Sequence, residues 1–130
     1  GGRFNILFGV DEMLLSGQIM GADGAIGGTY NVIPDPYLRA LSAFWQGEVR
    51  TAQRYMLAAN AILELMFRYN LSAAMRAGLG MMGVDAGFNP SPIGTLDRAQ
   101  TEALRRDLAA LRAELGVEDI ALLNAAAGIG

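Results

Sequence analysis

Apolar residues follow two different spacings along this chain, and the change falls near residue 36. In the first part they form two short runs, over residues 4–8 and 25–29, separated by a turn-forming segment. Short apolar runs of this kind are typical of strands buried on both faces of a parallel sheet. The apolar residues after Val10 predict a helix between the runs, so the pattern indicates one right-handed βαβ unit.

After Pro36 the apolar positions recur every three or four residues, which predicts helices and no further strand. Segment 83–95 contains two prolines and several glycines and is predicted to be a loop. Asp97 and Gln100 form the pattern of a capping box, and Gly116 marks the end of the helix that follows them. The helices are predicted over residues 37–46, 48–69, 71–82, 97–115 and 118–126.

Two parallel strands joined by one crossover cannot close a sheet, and an isolated two-stranded sheet is only marginally stable in water. Further strands therefore come from elsewhere, or the strand assignments are wrong. A complete α/β barrel has roughly 250 residues, so a chain of 130 residues is about half of one at most. We expect the chain to be a fragment or one piece of a split protein.

Composition limits the chemistry that the side chains can perform. Hydrophobic residues make up 52% of the chain, which is enough to bury a core. The sequence contains no cysteine and no histidine, and all ten basic residues are arginine. Zinc sites, thiol nucleophiles, Ser/His/Asp relays and lysine Schiff bases are therefore excluded within this chain. Carboxylates, hydroxyls and backbone groups remain, and we expect no metal and no cofactor.

Charge and hydropathy argue against several kinds of partner. The net charge of −3 and the lack of a basic cluster speak against nucleic acid and against an anionic membrane surface. The longest apolar stretch, 55–67, is interrupted by Asn60 and Glu64 and is shorter than the ~20 residues that span a bilayer. The N-terminus has no signal-peptide pattern, so we expect a cytoplasmic protein.

Asp11 and Glu12 are the first candidates for a functional site. Both carboxylates follow the end of the first predicted strand, at the rim where barrel enzymes build their active sites. They could accept hydrogen bonds from the hydroxyls of a sugar or polyol, which makes them better binders than catalysts. The alternative is that they only complement the dipole of the following helix.

Two glycine-rich segments have both a functional and a structural interpretation. Residues 27–31, Gly-Gly-Thr-Tyr-Asn, follow the second strand at the same rim, where glycine permits either a close approach of a ligand or a tight turn. Residues 78–83 match the letters G-x-G-x-x-G, but no strand precedes them, so helix packing or a helix end is favoured over nucleotide binding. The side chains of four residues are expected on a solvated helix face, with Glu102 and Arg106 spaced for an i,i+4 pair: Glu102, Arg105, Arg106 and Arg112.

Residues 9–17, Gly-Val-Asp-Glu-Met-Leu-Leu-Ser-Gly, and residues 21–31, Gly-Ala-Asp-Gly-Ala-Ile-Gly-Gly-Thr-Tyr-Asn, together resemble the seventh and eighth strand region of N-acetylneuraminate lyases. The resemblance extends through the helical tail, including the loop with Pro90 and Pro92. The related dihydrodipicolinate synthases share the glycine pattern. The Asp-Glu pair and the Thr-Tyr-Asn ending favour the lyase branch.

The resemblance implies an α/β fold and a reaction. Residues 1–47 would be the last two strand-helix units of a (β/α)8 TIM barrel, and residues 48–130 would be a C-terminal helical extension. The family's reaction is the reversible aldol cleavage of a sialic acid to pyruvate and N-acetylmannosamine, through a Schiff base between the keto carbon and a lysine. That lysine would lie on the sixth strand, before Gly1, so this chain would hold no catalytic residue and would be inactive alone.

The resemblance also implies partners and a binding role. The chain would form its pocket with the missing N-terminal barrel strands, and the assembly would be a homo-oligomer, by resemblance a tetramer. Gly9, Asp11, Glu12 and Gly28 would bind the hydroxyl tail of the keto acid sugar. Lyases of this family usually have serine at the position of Gly28, and losing that hydroxyl would cost about 0.5–1.5 kcal/mol.

Two alternatives remain open on the sequence. The absent serine hydroxyl allows a different pyruvate-derived keto acid as substrate, as in a dihydrodipicolinate synthase-like or other pyruvate-dependent aldolase. From a different class, the chain could be a non-catalytic helical assembly module, in which residues 37–126 pack against copies of themselves. Self-assembly of the isolated chain into a defined oligomer would favour this module.

Overall fold

A computed structural model describes residues 2–129, in which two short parallel strands near the N-terminus are followed by helices. The chain divides after Ala59, inside the third helix, into two compact units. The division after residue 47 that the resemblance implies stays a prediction. The elements are β1 (Leu7–Phe8), a 3-10 turn (Asp11–Met13), α1 (Leu14–Ile19), β2 (Gly24–Ala25), a second 3-10 turn (Thr29–Asn31), α2 (Pro34–Trp45), α3 (Val49–Phe67), α4 (Leu71–Met81), α5 (Arg98–Leu115) and α6 (Ala121–Ala126).

The first unit contains the predicted βαβ arrangement. β1 and β2 pair in parallel, with Leu7 opposite Gly24 and Phe8 opposite Ala25. α1 forms the crossover between them, and Gly17 of α1 packs so closely on the Phe8 ring that a Cβ atom there would overlap it. The order strand, helix, strand is therefore confirmed, although both strands are shorter than the predicted runs.

Asp23 holds the two strands together at the end where they begin. Its backbone N–H donates to the Ile6 carbonyl at 2.8 Å, and its Oδ2 accepts from the Ile6 N–H, also at 2.8 Å. The side chain thus takes the place of a ladder bond that a longer strand would make. It fixes the pairing at the end opposite to the candidate site.

The prediction that the strands are buried on both faces is wrong for the described residues. Phe4 is 75% exposed, Leu7 is 50% exposed and Ile26 is 66% exposed. Within residues 2–129 the two strands pair only with each other, so much of the sheet surface has no neighbour. The apolar runs identified the strands correctly, but burial also requires layers that these residues do not provide.

Helix α2 begins at Pro34 rather than at residue 37. Pro34 and Pro36 both lie in its first turn, where the missing N–H groups would have no helical partner and the fixed φ suits the helix. Tyr37 and Ala40 on one face are buried. This face turns the Tyr37 hydroxyl toward the ends of the strands.

The second unit contains α4, α5 and α6, and the predicted ends of α5 are confirmed. The Gln100 N–H donates to Asp97 Oδ1 at 2.8 Å, and the Asp97 N–H donates to Gln100 Oε1 at 3.0 Å, which completes the capping box. Gly116 ends the helix in the left-handed region, with φ 59°. α6 begins at Ala121 rather than at residue 118, because Ile120 is extended. The core includes the fully buried side chains Leu104, Leu108, Leu122 and Leu123.

The predicted loop over 83–95 is confirmed, and a buried asparagine organises it. Asn89 Oδ1 accepts from the Ser72 hydroxyl at 2.9 Å and from Arg76 Nε at 2.5 Å. The Asn89 amide donates to the Gly94 carbonyl at 2.8 Å. One side chain therefore joins the middle and the C-terminal end of the loop to α4.

Residues 78–83, with the letters G-x-G-x-x-G, lie in α4 and in the turn that follows it. Helical residues precede them, as the sequence predicts, so this segment lacks the strand-turn-helix context of a dinucleotide site. Among the helices of residues 2–129, none is long and apolar enough to cross a membrane.

Candidate functional site

Asp11 joins the C-terminal ends of β1 and β2. The 3-10 turn after β1 directs its carboxylate toward the segment after β2, and the residue is 8% exposed. Asp11 Oδ2 accepts a hydrogen bond from the Thr29 backbone N–H at 2.9 Å and a second, short one from the Thr29 hydroxyl. Both donors belong to the other strand's end, so this carboxylate does more than complement the dipole of its own helix.

Tyr37 extends the contact into a chain of three groups. Its hydroxyl lies 3.0 Å from Thr29 Oγ1. Because the single Thr29 hydroxyl proton is donated to the Asp11 carboxylate, the Tyr37 hydroxyl must donate to Thr29 Oγ1. The result is a buried network, Tyr37 to Thr29 to Asp11, that fixes the carboxylate from the α2 side.

Gly27 makes room for this network. A Cβ atom at position 27 would overlap the Asp11 carboxylate, so any larger residue would displace it. A Cβ atom at Gly9 would lie 3.6 Å from the Ile26 carbonyl oxygen, which is an ordinary contact. Of these two glycines at the rim, only Gly27 is required by the close approach of a side chain.

Tyr30 packs against the network without joining its hydrogen bonds. Its ring centroid lies 4.6 Å from that of Tyr37, edge to face at 71°. The Tyr30 hydroxyl oxygen is buried and has no hydrogen-bond partner within residues 2–129. Burial, followed by the nearby Asp11 charge, raises the pKa of Tyr30 to about 12. Burial also raises the pKa of Tyr37 to about 12.

We expect Tyr30 and Tyr37 to ionise near pH 12 instead of near the ordinary pKa of 10. The unfolded chain then loses these protons first as the pH rises, so their contribution to stability is complete below pH 10 and declines between pH 10 and 12. Ultraviolet absorbance of tyrosinate measures the titration, and Tyr30→Phe and Tyr37→Phe should remove its most alkaline part. If the two variants instead lost the absorbance change near pH 10, the raised pKa values of Tyr30 and Tyr37 would be contradicted.

Glu12 has a different environment from its neighbour. It is exposed and lines a cleft of about 420 Å³, together with Ser16 of α1 and Gln53, Met56 and Leu57 of α3. The structure therefore separates the two adjacent carboxylates. Asp11 is turned into the strand-end network, and Glu12 is accessible to solvent.

Gly28 and Gly9 contribute backbone to the same rim. Gly28 begins the turn that carries Thr29, with φ −67° and ψ −40°, a conformation that any residue adopts. The Gly28 carbonyl accepts from the Asn31 side-chain amide at 3.1 Å. The backbone therefore gives no reason for glycine in place of serine at position 28.

Segment 27–31 was identified at the rim from the sequence, but Gly27, Thr29 and Tyr37 were not predicted individually as site residues. Thr29 is 2% exposed, although threonine is mostly exposed in folded proteins. Neither the burial of Thr29 nor its contact with Tyr37, eight positions further along the chain, can be seen from the sequence alone. Within residues 2–129, no group of three or more histidine, cysteine or acidic residues could hold a metal ion.

The chain is of the α/β class, because a parallel βαβ unit is followed by a helical unit. Its candidate site is the buried network of Asp11, Thr29 and Tyr37 at the C-terminal ends of the strands. Residues 1–111 match the model of the Dihydrodipicolinate synthetase family, and the chain belongs to this family.

Within this family, the chain is similar to N-acetylneuraminate lyases. It is 34% identical over 101 residues to the N-acetylneuraminate lyase of Rhizobium meliloti (strain 1021). The aligned region covers 78% of this chain and 34% of that relative. The solved structure of the Proteus mirabilis N-acetylneuraminate lyase has a TM-score of 0.78 at 31% identity, over 85% of this chain and 38% of that chain. A catalytic lysine mutant of the Ruminococcus gnavus sialic acid aldolase has a TM-score of 0.77 at 29% identity, over 89% of this chain and 39% of that chain. This chain spans about a third of the length of the curated relatives it matches.

Proposed function

We propose that this chain is the C-terminal part of a (β/α)8-barrel aldolase that cleaves N-acetylneuraminate to pyruvate and N-acetylmannosamine. β1 and β2 would be the seventh and eighth strands of the barrel. The observation that carries the proposal is the buried contact between Asp11 and Thr29, because it joins the C-terminal ends of two adjacent parallel strands, where barrel enzymes place their sites. Similarity to N-acetylneuraminate lyases supports the substrate class.

The exposed apolar surface of the strands supports a larger barrel. Ile6 and Leu7 of the first strand region are 55% and 50% exposed, and Ile26 after β2 is 66% exposed. Parallel strands are normally covered on both faces, since their connections place helices there. Neighbouring strands and the barrel interior would bury these side chains in the proposed assembly.

The proposed reaction needs a lysine, and this chain contains none. The lysine amine would form an imine with the keto carbon of the sugar acid, releasing water. When the carbon–carbon bond breaks, its electron pair moves to the protonated imine to give an enamine, and the hydroxyl on the departing carbon loses its proton as that carbon becomes an aldehyde. Protonation of the enamine and hydrolysis of the imine would then release pyruvate and the lysine amine. We propose that the lysine comes from polypeptide outside these 130 residues, as a lysine is named catalytic in the Ruminococcus gnavus aldolase.

The residues of this chain would bind the hydroxyl tail of the substrate. Glu12 is exposed and is proposed to accept sugar hydroxyls directly. Asp11 Oδ2 already accepts two hydrogen bonds from Thr29, so only Oδ1 could accept one from the ligand. The fixed Asp11 side chain would also orient the 3-10 turn that carries Glu12. Gly9 and Gly28 are proposed to let the sugar approach the backbone closely.

A chimera tests the proposal. The matching segment of the Ruminococcus gnavus aldolase would be replaced by this chain, and pyruvate release from N-acetylneuraminate would be measured. We expect cleavage by the chimera and none by this chain alone. Borohydride reduction in the presence of pyruvate should attach pyruvate to the lysine of the chimera. The same exchange made in the catalytic lysine mutant is the matched control and should be inactive. A folded chimera without cleavage activity would refute the proposal.

Replacing Glu12 with glutamine in this chimera should raise KM for N-acetylneuraminate about tenfold, with a smaller change in kcat. Glutamine keeps the shape but removes the charge, and a hydrogen bond to a charged group is worth about 1.5–3 kcal/mol. Glu64→Gln is the control, because Glu64 is exposed and pairs with Arg68 on α3 at 3.2 Å. Equal kinetics for the two variants would remove Glu12 from the site.

The same chimera distinguishes the substrate alternatives. Shorter pyruvate-derived keto acids lack the hydroxyl tail that Glu12 is proposed to bind. If the chimera cleaves N-acetylneuraminate faster than the shorter keto acids, and if Glu12→Gln removes this preference, the result favours N-acetylneuraminate lyase activity. Faster turnover of the shorter keto acids would favour a different pyruvate-dependent aldolase, in line with Gly28 at the position of the usual serine.

A further inference from the structure

A second cleft lies within the second unit. Its volume is about 410 Å³, and its walls are formed by α4, the segment 84–87 and the N-terminal half of α5. Two arginines, Arg76 from α4 and Arg105 from α5, line it. The cleft therefore brings together two positive charges from two helices.

Arg76 is half-buried and is held only by uncharged groups. Its Nε donates to Asn89 Oδ1 at 2.5 Å, and its Nη1 makes a short hydrogen bond to the Ala86 carbonyl. No carboxylate oxygen within residues 2–129 forms an ion pair with it. Since a guanidinium carries five N–H donors, three remain after these two bonds. A partly desolvated charge of this kind favours an anion as partner.

Arg105 also keeps unused donors. Its Nη1 donates to the Ala125 carbonyl at 3.3 Å, and its Nε lies 4.0 Å from Glu102 Oε2, a long ion pair with an exposed carboxylate. Such a contact neutralises little of the charge. Asp85, the acid that lines the cleft, has its Oδ1 engaged by the Gly87 N–H at 2.8 Å. Two positive charges against one negative charge leave the cleft cationic.

The rest of the wall is mostly small or apolar. Gly80, Met81, Val84 and Leu96 line it, and a Cβ atom at Gly80 would have no other atom within 4 Å. The space beside Gly80 is therefore open. Its surroundings suit a short hydrocarbon group next to the arginines.

We propose that this cleft binds a small monocarboxylate, with the carboxylate between Arg76 and Arg105 and its short apolar tail along Gly80. Planar guanidinium groups match a carboxylate in geometry and charge. A net charge of about +1 suits a monoanion better than a dianion, and the apolar wall favours an organic anion over phosphate. The site is independent of the proposed aldol reaction.

Saturation-transfer NMR on the full 130-residue chain tests the proposal, with propionate as the probe and propionamide as its neutral counterpart. Ionic strength is held constant with sodium chloride. Propionate should bind at least tenfold more tightly than propionamide and more tightly than inorganic phosphate. Equal binding of propionate and propionamide would overturn the proposal, and so would tighter binding of phosphate.

Variants locate the binding. Gly80→Leu should occupy the cleft and abolish propionate binding, whereas Gly80→Ala, whose Cβ atom would meet no other atom within 4 Å, should weaken it only slightly. Leucine is also a better helix former than glycine, so the fold should persist. Arg105→Gln should weaken binding at least tenfold, and Arg106→Gln, on the adjacent exposed residue, should not. Unchanged propionate binding in Gly80→Leu or Arg105→Gln would refute the site, with circular dichroism confirming that each variant is folded.

Discussion

Replacing Gly27 with alanine should destabilise the first unit by at least about 2 kcal/mol. The new methyl group would overlap the Asp11 carboxylate, so the carboxylate must leave Thr29 or the strand ends must separate. Either response loses charge-assisted hydrogen bonds in a buried position. The free energy of unfolding in urea, followed by circular dichroism, measures the effect.

Gly9→Ala is the matched control for this substitution. It adds the same methyl group at the end of the neighbouring strand, where the nearest atom would be the Ile26 carbonyl oxygen at an ordinary 3.6 Å. We expect a change within about 0.5 kcal/mol. If Gly27→Ala and Gly9→Ala proved equally mild, the close approach of Asp11 to Gly27 would not be a feature of the folded protein.

Replacing Thr29 with valine should cost about 1–3 kcal/mol, although the side chain keeps its shape. The Asp11 carboxylate would keep the backbone N–H of residue 29 but lose the hydroxyl. The Tyr37 hydroxyl would lose its acceptor inside the protein. The free energy of unfolding in urea measures the combined effect.

Thr29→Ser separates the hydroxyl from the methyl group. Serine keeps the hydroxyl, so the hydrogen bonds of residue 29 should persist, while stability falls by about 1 kcal/mol for the lost buried methyl. The double variant Thr29→Val/Tyr37→Phe should lose less stability than the sum of the two single variants, since each of these substitutions removes the hydrogen bond between residues 29 and 37. Additive losses would mean that Thr29 and Tyr37 act separately.

The helical half of the fold could be predicted in detail from the sequence. Asp97 and Gln100 form the predicted capping box, and Gly116 ends α5 as predicted, because caps depend on a few consecutive residues. The least accurate boundaries were those set by turns. Pro34 starts α2 earlier than predicted, and Ile120 delays the start of α6 through its extended backbone.

The candidate site could be predicted only in outline. Asp11 and Glu12 were identified from their position after a strand, and the structure places Asp11 against the end of the neighbouring strand. The sequence did not show that these adjacent acids have different environments. The bonds of Asp11 to Thr29, and of Thr29 to Tyr37, cross 18 and 8 positions. Such pairings depend on the strand register and on the start of α2, which no local pattern specifies.

By itself, the sequence determined the order of the elements, the helix ends and the absence of lysine, histidine and cysteine, because each depends on residue identity or on short spacings. Tertiary structure alone decided that Gly27 must be glycine and that Thr29 and Tyr37 hold Asp11 in place. It also decided which apolar residues of the strands remain exposed. The physical reason is that burial and long-range hydrogen bonds depend on which surfaces meet, and these are set by packing between elements distant in the chain.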